Sequence, residues 1–227
     1  MERFEGFADG TGKFFRALAK NQKREWFMAH KEEFEEGWNR PMKALLVELR
    51  ESIDGAFPHC DLDDPKVFRI FRDVRFSKDK TPYKTHIGGF IPTKLGGRTV
   101  ELPFALYLHV GLPHSFGAAG HYMMSAPALE RFRKTVADEK GGKELEKLLA
   151  KLTKKGFTID SYESLKRVPK GFDPQHPRAE LLKRKGLTVS FPEMPKGVLA
   201  SRKLVPWLLS GVKQTAPLVE WLVFATR

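Results

Sequence analysis

Helix-type and strand-type patterns are segregated along this chain. Helical spacing fills the first fifty residues, a block after Ser125 and the C-terminal stretch, while strand-like alternation lies between them. The two kinds of segment do not alternate as strand–helix–strand units. The expected fold is therefore α+β, a mostly antiparallel sheet with helices packed on it from the N- and C-terminal thirds. Phe104–Val110 is the clearest strand, with Phe104, Leu106, Leu108 and Val110 on one face and Ala105, Tyr107 and His109 on the other. Gly111–Pro113 turns the chain, and Ser115–Met124 is the expected antiparallel partner.

Near the N-terminus, Thr11 is placed to cap a helix carrying Phe14, Phe15 and Leu18. Asn21 is a second expected cap, before Trp26, Phe27, His30, Phe34 and Trp38, with both tryptophans read as core. Pro41, after Asn39, suits the first turn of a third helix through Leu45, Leu46 and Leu49. Val67–Phe71 and His86–Ile91 read as strands, Gly88 and Gly89 marking a bulge or a close backbone approach. Ser125 caps a helix with Leu129, Phe132 and Val136 inside, and a further helix, Lys143–Leu152, ends at Gly156. Phe157–Asp160, Leu165–Val168 and Leu187–Phe191 are short strand candidates, Ala179–Lys185 a short helix, and Leu204, Leu208, Leu218 and Leu222 belong to a C-terminal helix. With no repeat or linker in its 227 residues, the chain is expected to form a single domain over 1–227.

The formal charge of +12 is clustered. Residues 66–84 hold seven Lys/Arg against two acids, and residues 163–186 hold seven against three. Glu51–Pro65 carries five acids and no Lys or Arg. Such patches attract phosphates, nucleic acid or acidic partners. Cys60 is the only cysteine, which excludes an intrachain disulfide and a cysteine-rich zinc site. The N-terminal stretch lacks signal-peptide organisation, and no apolar run approaches the roughly 20 residues of a membrane span, so a cytoplasmic protein without membrane attachment is expected.

The densest basic segment is FRIFRDVRFSKDKTPYKTH, Phe68–His86. A strand end delivering Arg69, Arg72 and Arg75 into a loop with Lys78, Lys80 and Lys84 can form an anion pocket, because guanidinium groups grip phosphate or carboxylate as a fork and lysines add point charge. Local pairing of Arg69 with Asp73, or Arg75 with Asp79, is the structural alternative, but two acids cannot neutralise six bases. The second segment, LKRVPKGFDPQHPRAELLKRKG (Leu165–Gly186), adds Lys166, Arg167 and His176, while Lys183, Arg184 and Lys185 read as surface charge near a helix end.

His109, His114 and His121 raise the question of a metal, His109 and His121 facing one another across a turn. Without HExxH, a nearby carboxylate or cysteine, they read as ordinary hairpin histidines and no metal is expected. One of them can still act as a general acid or base beside Tyr107 or Tyr122. PHSFG (113–117) lacks the first glycine of a nucleophile elbow, GAAG (117–120) is no dinucleotide fingerprint, and GxxxxGK[ST] is absent. No cofactor is expected.

RIFRDVRFSKDKTPYKTHIGG, NQKREWFMAHKEEFEE and LKRVPKGFDPQHPRAELLK together resemble Domain of Unknown Function family 2461, from about Phe14 to Leu222. The family more often has a run of asparagines where this chain reads Asn21-Gln22-Lys23-Arg24. The resemblance implies one domain and singles out Arg24, Arg69, Arg72, Asp73, Arg75, Lys78, Lys80, Tyr83, Lys84, Lys166, Arg167 and His176; it implies no reaction or cofactor. Three readings follow. In the first, Arg69, Arg72, Asp73, Arg75, Lys78, Lys80, Lys84, Lys166, Arg167 and His176 converge around a phosphorylated or other anionic small ligand, with Tyr83 and His109 as proton-transfer groups if chemistry occurs. In the second, the same bases contact nucleic acid while Phe71, Phe76 or Tyr83 stack on bases. In the third, the basic loop meets an acidic partner or the chain's own Asp61, Asp63 and Asp64.

Overall fold

The computed structural model describes residues 3–8, 12–75, 77–94 and 103–227. The Thr11 cap and the proposed stacking role of Phe76 lie outside the described residues. Helices α1 (Lys13–Lys20), α2 (Arg24–Ala29) and α3 (Lys31–Phe34) begin the chain. Asn21 does not cap α2, whose N-cap is Lys23. It ends α1 instead, its side-chain amide donating to the Ala17 carbonyl at 2.9 Å.

From α3 the backbone passes through a π-helical turn, Glu35–Asn39, into α4 (Arg40–Ile53) with helical dihedrals throughout. Pro41 therefore lies inside a continuous helical run rather than opening a new one. Having no N–H, it leaves the Gly37 carbonyl unpaired within the helix. That carbonyl accepts from the Ala8 N–H at 3.0 Å, tying the N-terminal segment down. Gly37 permits the approach, since a Cβ there would come within 2.8 Å of the Ala8 Cβ. Phe7 stacks on Trp38, which is buried, while Trp26 is half-buried and stacks on His30.

Strands β1 (Asp61–Leu62) and β2 (Lys66–Val67) both pair with β3 (His86–Lys94). Beyond β3 come β4 (Phe104–Gly111) and β5 (Phe116–His121); two later strands, β6 (Thr158–Asp160) and β7 (Leu187–Ser190), complete the order β3-β4-β5-β7-β6. Every pairing is antiparallel. Helices α5 (Ala126–Ala137) and α6 (Glu139–Lys154) precede β6, α7 (Ala179–Leu182) precedes β7, and α8 (Leu204–Thr226) ends the chain. This is the expected α+β architecture. Among the described residues, no helix is long and apolar enough to cross a membrane.

Two expected strands are cut short. Of the expected Val67–Phe71 strand only Val67 lies in β2, and the Phe68 N–H still bonds the Gly88 carbonyl of β3; the chain then peels off as a two-stranded arm closed by a Phe71–Tyr83 bridge and by Arg72–Pro82 and Lys84–Ile70 backbone bonds. Leu165–Val168 forms no strand, because its backbone bonds turn toward 183–185 instead of the sheet.

The sheet buries one face. Leu106, Leu108 and Val110 of β4 pair with Ile91, Gly89 and Ile87 of β3, and all are buried. Gly89 leaves room for α4: a Cβ there would sit 2.5 Å from a Leu46 methyl. Phe191 fills the space between Gly117 of β5 and Gly211 of α8, with a Cβ at either glycine clashing against its ring. The expected close approach at Gly88–Gly89 is thus real, while the β3 irregularity falls later, between Ile91 and Pro92. The opposite face carries half-buried Phe90, Tyr107 and Phe116, and among the described residues no helix packs on it.

Gly120 is the tightest point of the sheet. Its φ is 129° and a Cβ would lie 2.3 Å from the Leu187 carbonyl oxygen. Gly120→Ala should destabilise the fold by more than about 2 kcal/mol through backbone strain and clash. Gly55, with nothing near its would-be Cβ, is the control. Gly55→Ala should change stability by no more than about 1 kcal/mol, and urea unfolding of both variants measures the contrast.

Candidate functional site

The open face of the sheet carries a nearly continuous aromatic floor. Phe68 stacks on Phe90 (5.1 Å between centroids) and meets Tyr107 edge-on. Tyr107 continues to Phe104 and Phe116, and His109 stacks between Phe116 (5.0 Å) and His86 (4.0 Å). Register explains the row: Phe90 lies opposite Tyr107, Gly88 opposite His109, and His109 opposite Phe116. Gly88 leaves space above the Tyr107 hydroxyl, which a Cβ would approach to 3.1 Å.

The basic arm meets this floor at its β3 edge. Lys84 Nζ donates to the Arg69 carbonyl at 3.0 Å and hangs over the Phe68 ring at 5.4 Å from its centroid. Arg72 pairs with Asp79 at 2.7 Å and donates to the Thr81 hydroxyl. The Arg69 side chain has no hydrogen bond or ion pair among the described residues. Asp73 is engaged by Arg75 at 2.7 Å, so the arm pairs Arg72 with Asp79 and Arg75 with Asp73 rather than as the sequence suggests. Lys80 folds back onto the Val74 carbonyl and Lys78 is exposed. Of the six bases, Arg69, Arg72 and Lys84 form a cluster beside His86.

Tyr83 is not available for proton transfer or base stacking. It is 3% exposed, its ring stacked on Phe27 at 4.4 Å and its N–H bonded to the Gln22 side chain. The NQKREWF and KTPYK segments are thereby packed against each other.

Lys166, Arg167 and His176 do not join the cluster. Their segment leaves the sheet from β6, four strand spacings from β3, or roughly 19 Å. It also departs from the other end of the strands, where Leu187 pairs with His121, whereas His86 pairs with Gly111. The segment packs on the α5–α6 corner: His176 reaches the Ala137 carbonyl, and buried Arg178 donates to the Val136, Ala137 and Asp138 carbonyls. Lys166 and Arg167 are exposed there. The two basic segments occupy diagonally opposite corners, and their expected convergence does not occur.

His109 and His121 do not face each other either. His109 lies opposite Phe116, whereas His121, five residues further along β5, pairs with Leu187 on the helix-covered face. Among the described residues no group of three or more His, Cys, Asp or Glu is arranged to hold a metal ion. Nor does an ion pair link Asp61, Asp63 or Asp64 to the arm; Arg50 binds the Leu62 and Asp63 carbonyls instead.

A cavity of about 950 Å³ runs from the open face past the β4–β5 turn to the Phe191–Leu199 segment. Tyr107, Phe116, Tyr122 and Tyr162 line it, but none of the basic residues expected to bind a ligand does. Tyr107 is the residue that both contacts Phe68 of the arm's rim and lines this cavity.

Over residues 10–221 the chain matches the profile of the family described as Conserved hypothetical protein (DUF2461). It belongs to that family. No curated protein matches it. Family membership brings no reaction with it, so the chemistry of this DUF2461 chain must be read from its own groups.

The hydrogen bonds fix one tautomer. His109 Nε2 lies 3.3 Å from the Leu112 carbonyl oxygen, which can only accept. The ring proton therefore sits on Nε2, and Nδ1 accepts from the Tyr107 hydroxyl at 3.3 Å. Burial pushes the Tyr107 phenol up and the His109 imidazole down. Burial, then His109, Lys84 and Arg72, push His86 down to about 4. Burial and the neighbouring Arg69 and Arg72 also lower Lys84. At His86 and Lys84, neighbouring cations thus add to the effect of burial. Sequence reasoning overlooked Phe68, His86 and Phe90; the available signal was the alternation that sets them, with Tyr107 and His109, on the face opposite the buried leucines.

The depressed histidines should make this fold acid-sensitive. Unfolded, His86 takes a proton near its ordinary 6.5; folded, only near 4. Between those values the unfolded chain binds more protons, so stability should fall as pH drops from about 6.5 to about 4. His86→Gln should flatten that decline, measured by urea midpoints across the pH series.

Proposed function

We propose that this protein binds a phosphorylated or other anionic small ligand on the open face of its sheet. The anionic group sits at Arg69, Arg72 and Lys84, and the body of the ligand lies over Phe68, Phe90 and Tyr107 toward the cavity. One observation carries the reading: three cations gather beside an aromatic floor, with Asp79 paired to Arg72 and Asp73, which Arg75 holds, near Arg69. An anion relieves that repulsion, through a guanidinium fork and the Lys84 ammonium. Tyr107, backed by His109 Nδ1, is the group placed for proton transfer if the ligand reacts. Asp73, Arg75, Lys78 and Lys80 contribute field, while Lys166, Arg167 and His176 lie outside this site. The connected core running from Phe4 to Ala225 supports treating residues 1–227 as one domain. The absence of a cysteine pair fits a cytoplasmic setting for it.

Nucleic acid is the less favoured partner. Tyr83 is buried, which leaves Phe71 as the exposed ring among the described residues that were expected to stack on bases, while the arm's other exposed ring, Phe68, is stacked on Phe90.

A thermal-shift screen against nucleotides, phosphosugars and polyanions tests the proposal, because a ligand that binds only the folded form raises its apparent stability. Lys84→Ala and Arg69→Ala should each weaken any hit by about tenfold or more, the loss expected for a charge-assisted contact. Lys166→Ala and Arg167→Ala should leave it unchanged. Equal weakening by all four substitutions indicates diffuse charge attraction and removes the proposal.

A further inference from the structure

A second cleft, about 460 Å³, lies on the helical side of the molecule between α6 and α8. Leu148, Pro217, Trp221, Phe224 and Ala225 make it largely apolar. Its described lining contains two carboxylates, Glu144 and Glu220, and no Lys or Arg. That composition runs against a chain with 40 Lys and Arg over 28 Asp and Glu.

Glu220 is the unusual member. It is 8% exposed, and burying a carboxylate is costly unless the charge is compensated. One oxygen, Oε1, accepts from the His59 N–H at 2.7 Å. Oε2 has no hydrogen-bond or ion-pair partner among the described residues. The negative field is felt nearby by Cys60, whose thiol is pushed up to about 11 by burial and then by Glu220 and Asp61. A buried carboxylate with one oxygen unpaired, in a largely apolar cleft whose described lining holds no Lys or Arg, has no counter-ion among the described residues; the guanidinium at the wall, Arg227, stacks on the Phe224 ring at 4.4 Å.

We propose that this cleft binds an alkylammonium ion, with Glu220 as counter-ion and the Trp221–Phe224 wall holding its hydrocarbon. The ammonium donates to Oε2 while Oε1 keeps its bond to His59. Glu144, exposed at the mouth, adds attraction from solvent. The Trp221 ring favours a cation as well as an apolar chain, while Phe224, already stacked with Arg227, contributes apolar surface. This site is separate from the anion-binding face and does not depend on it.

The test is a titration of the full chain with n-butylammonium chloride, following amide shifts at His59 and Glu220 and the Trp221 indole. Sodium chloride at matched ionic strength and n-butanol are the controls. Saturable shifts at these three residues are expected with n-butylammonium and not with either control. Glu220→Gln retains the oxygen that accepts from His59 but removes the charge, and should weaken binding about tenfold or more. Glu144→Gln should weaken it about twofold to threefold, as for a partly screened charge. No saturable shift, a matching response to n-butanol, or unchanged affinity in Glu220→Gln overturns the proposal. If Glu220→Gln does not fold, the butanol comparison and Glu144→Gln decide: equal affinities for the two probes, or none lost in Glu144→Gln, overturn it.

Discussion

One-sided burial of the sheet is the constraint from which the rest of the molecule follows. Gly89 admits Leu46 of α4, and Gly117 and Gly211 admit Phe191 between β5 and α8. With backbone and helix in such close approach, all the large aliphatic residues of β3 and β4 are committed to that side. The aromatic and imidazole side chains of the same strands, at alternate positions, have only the other face to occupy. Phe90, Tyr107, His109 and Phe116 form a floor there because neighbouring strands place them opposite one another.

The basic arm turns this floor into a polarised surface. Aromatic rings alone would suit many apolar ligands, and a solvated lysine-rich loop alone would suit none in particular. Lys84 joins the two, its ammonium bonded to the Arg69 carbonyl and held over Phe68. Its charge is then fixed near Arg69 and Arg72, at an electrostatic cost visible in its lowered proton affinity and in that of His86. Unfavourable placements of this kind concentrate at functional sites, where a ligand offsets them. On the opposite side, the cleft beside α8 carries a buried carboxylate, Glu220, instead of cations.

Much of this was legible in the sequence. Alternation along Phe104–Val110 identified both the strand and its polar face, and local charge density singled out the arm. Other features were set by contacts distant in sequence. Tyr83 looks like an exposed residue in a basic loop, but Phe27 and Gln22 bury it. Pro41 reads as a helix start, yet Ala8 supplies the hydrogen bond that lets a helix continue through it. The two basic segments look alike in composition and still lie at opposite corners, because β7 inserts between β5 and β6. Strand order of that kind leaves no trace in local periodicity.

The most direct test of the anion-binding face is a residue-resolved map of where an anion contacts the protein. In an amide-shift titration with inorganic pyrophosphate, saturable changes should centre on Phe68, Arg69, Arg72, Lys84 and His86, extend to Tyr107, and leave Lys166–His176 still. Changes spread evenly over every basic surface, or centred on Lys166–His176, would contradict the account.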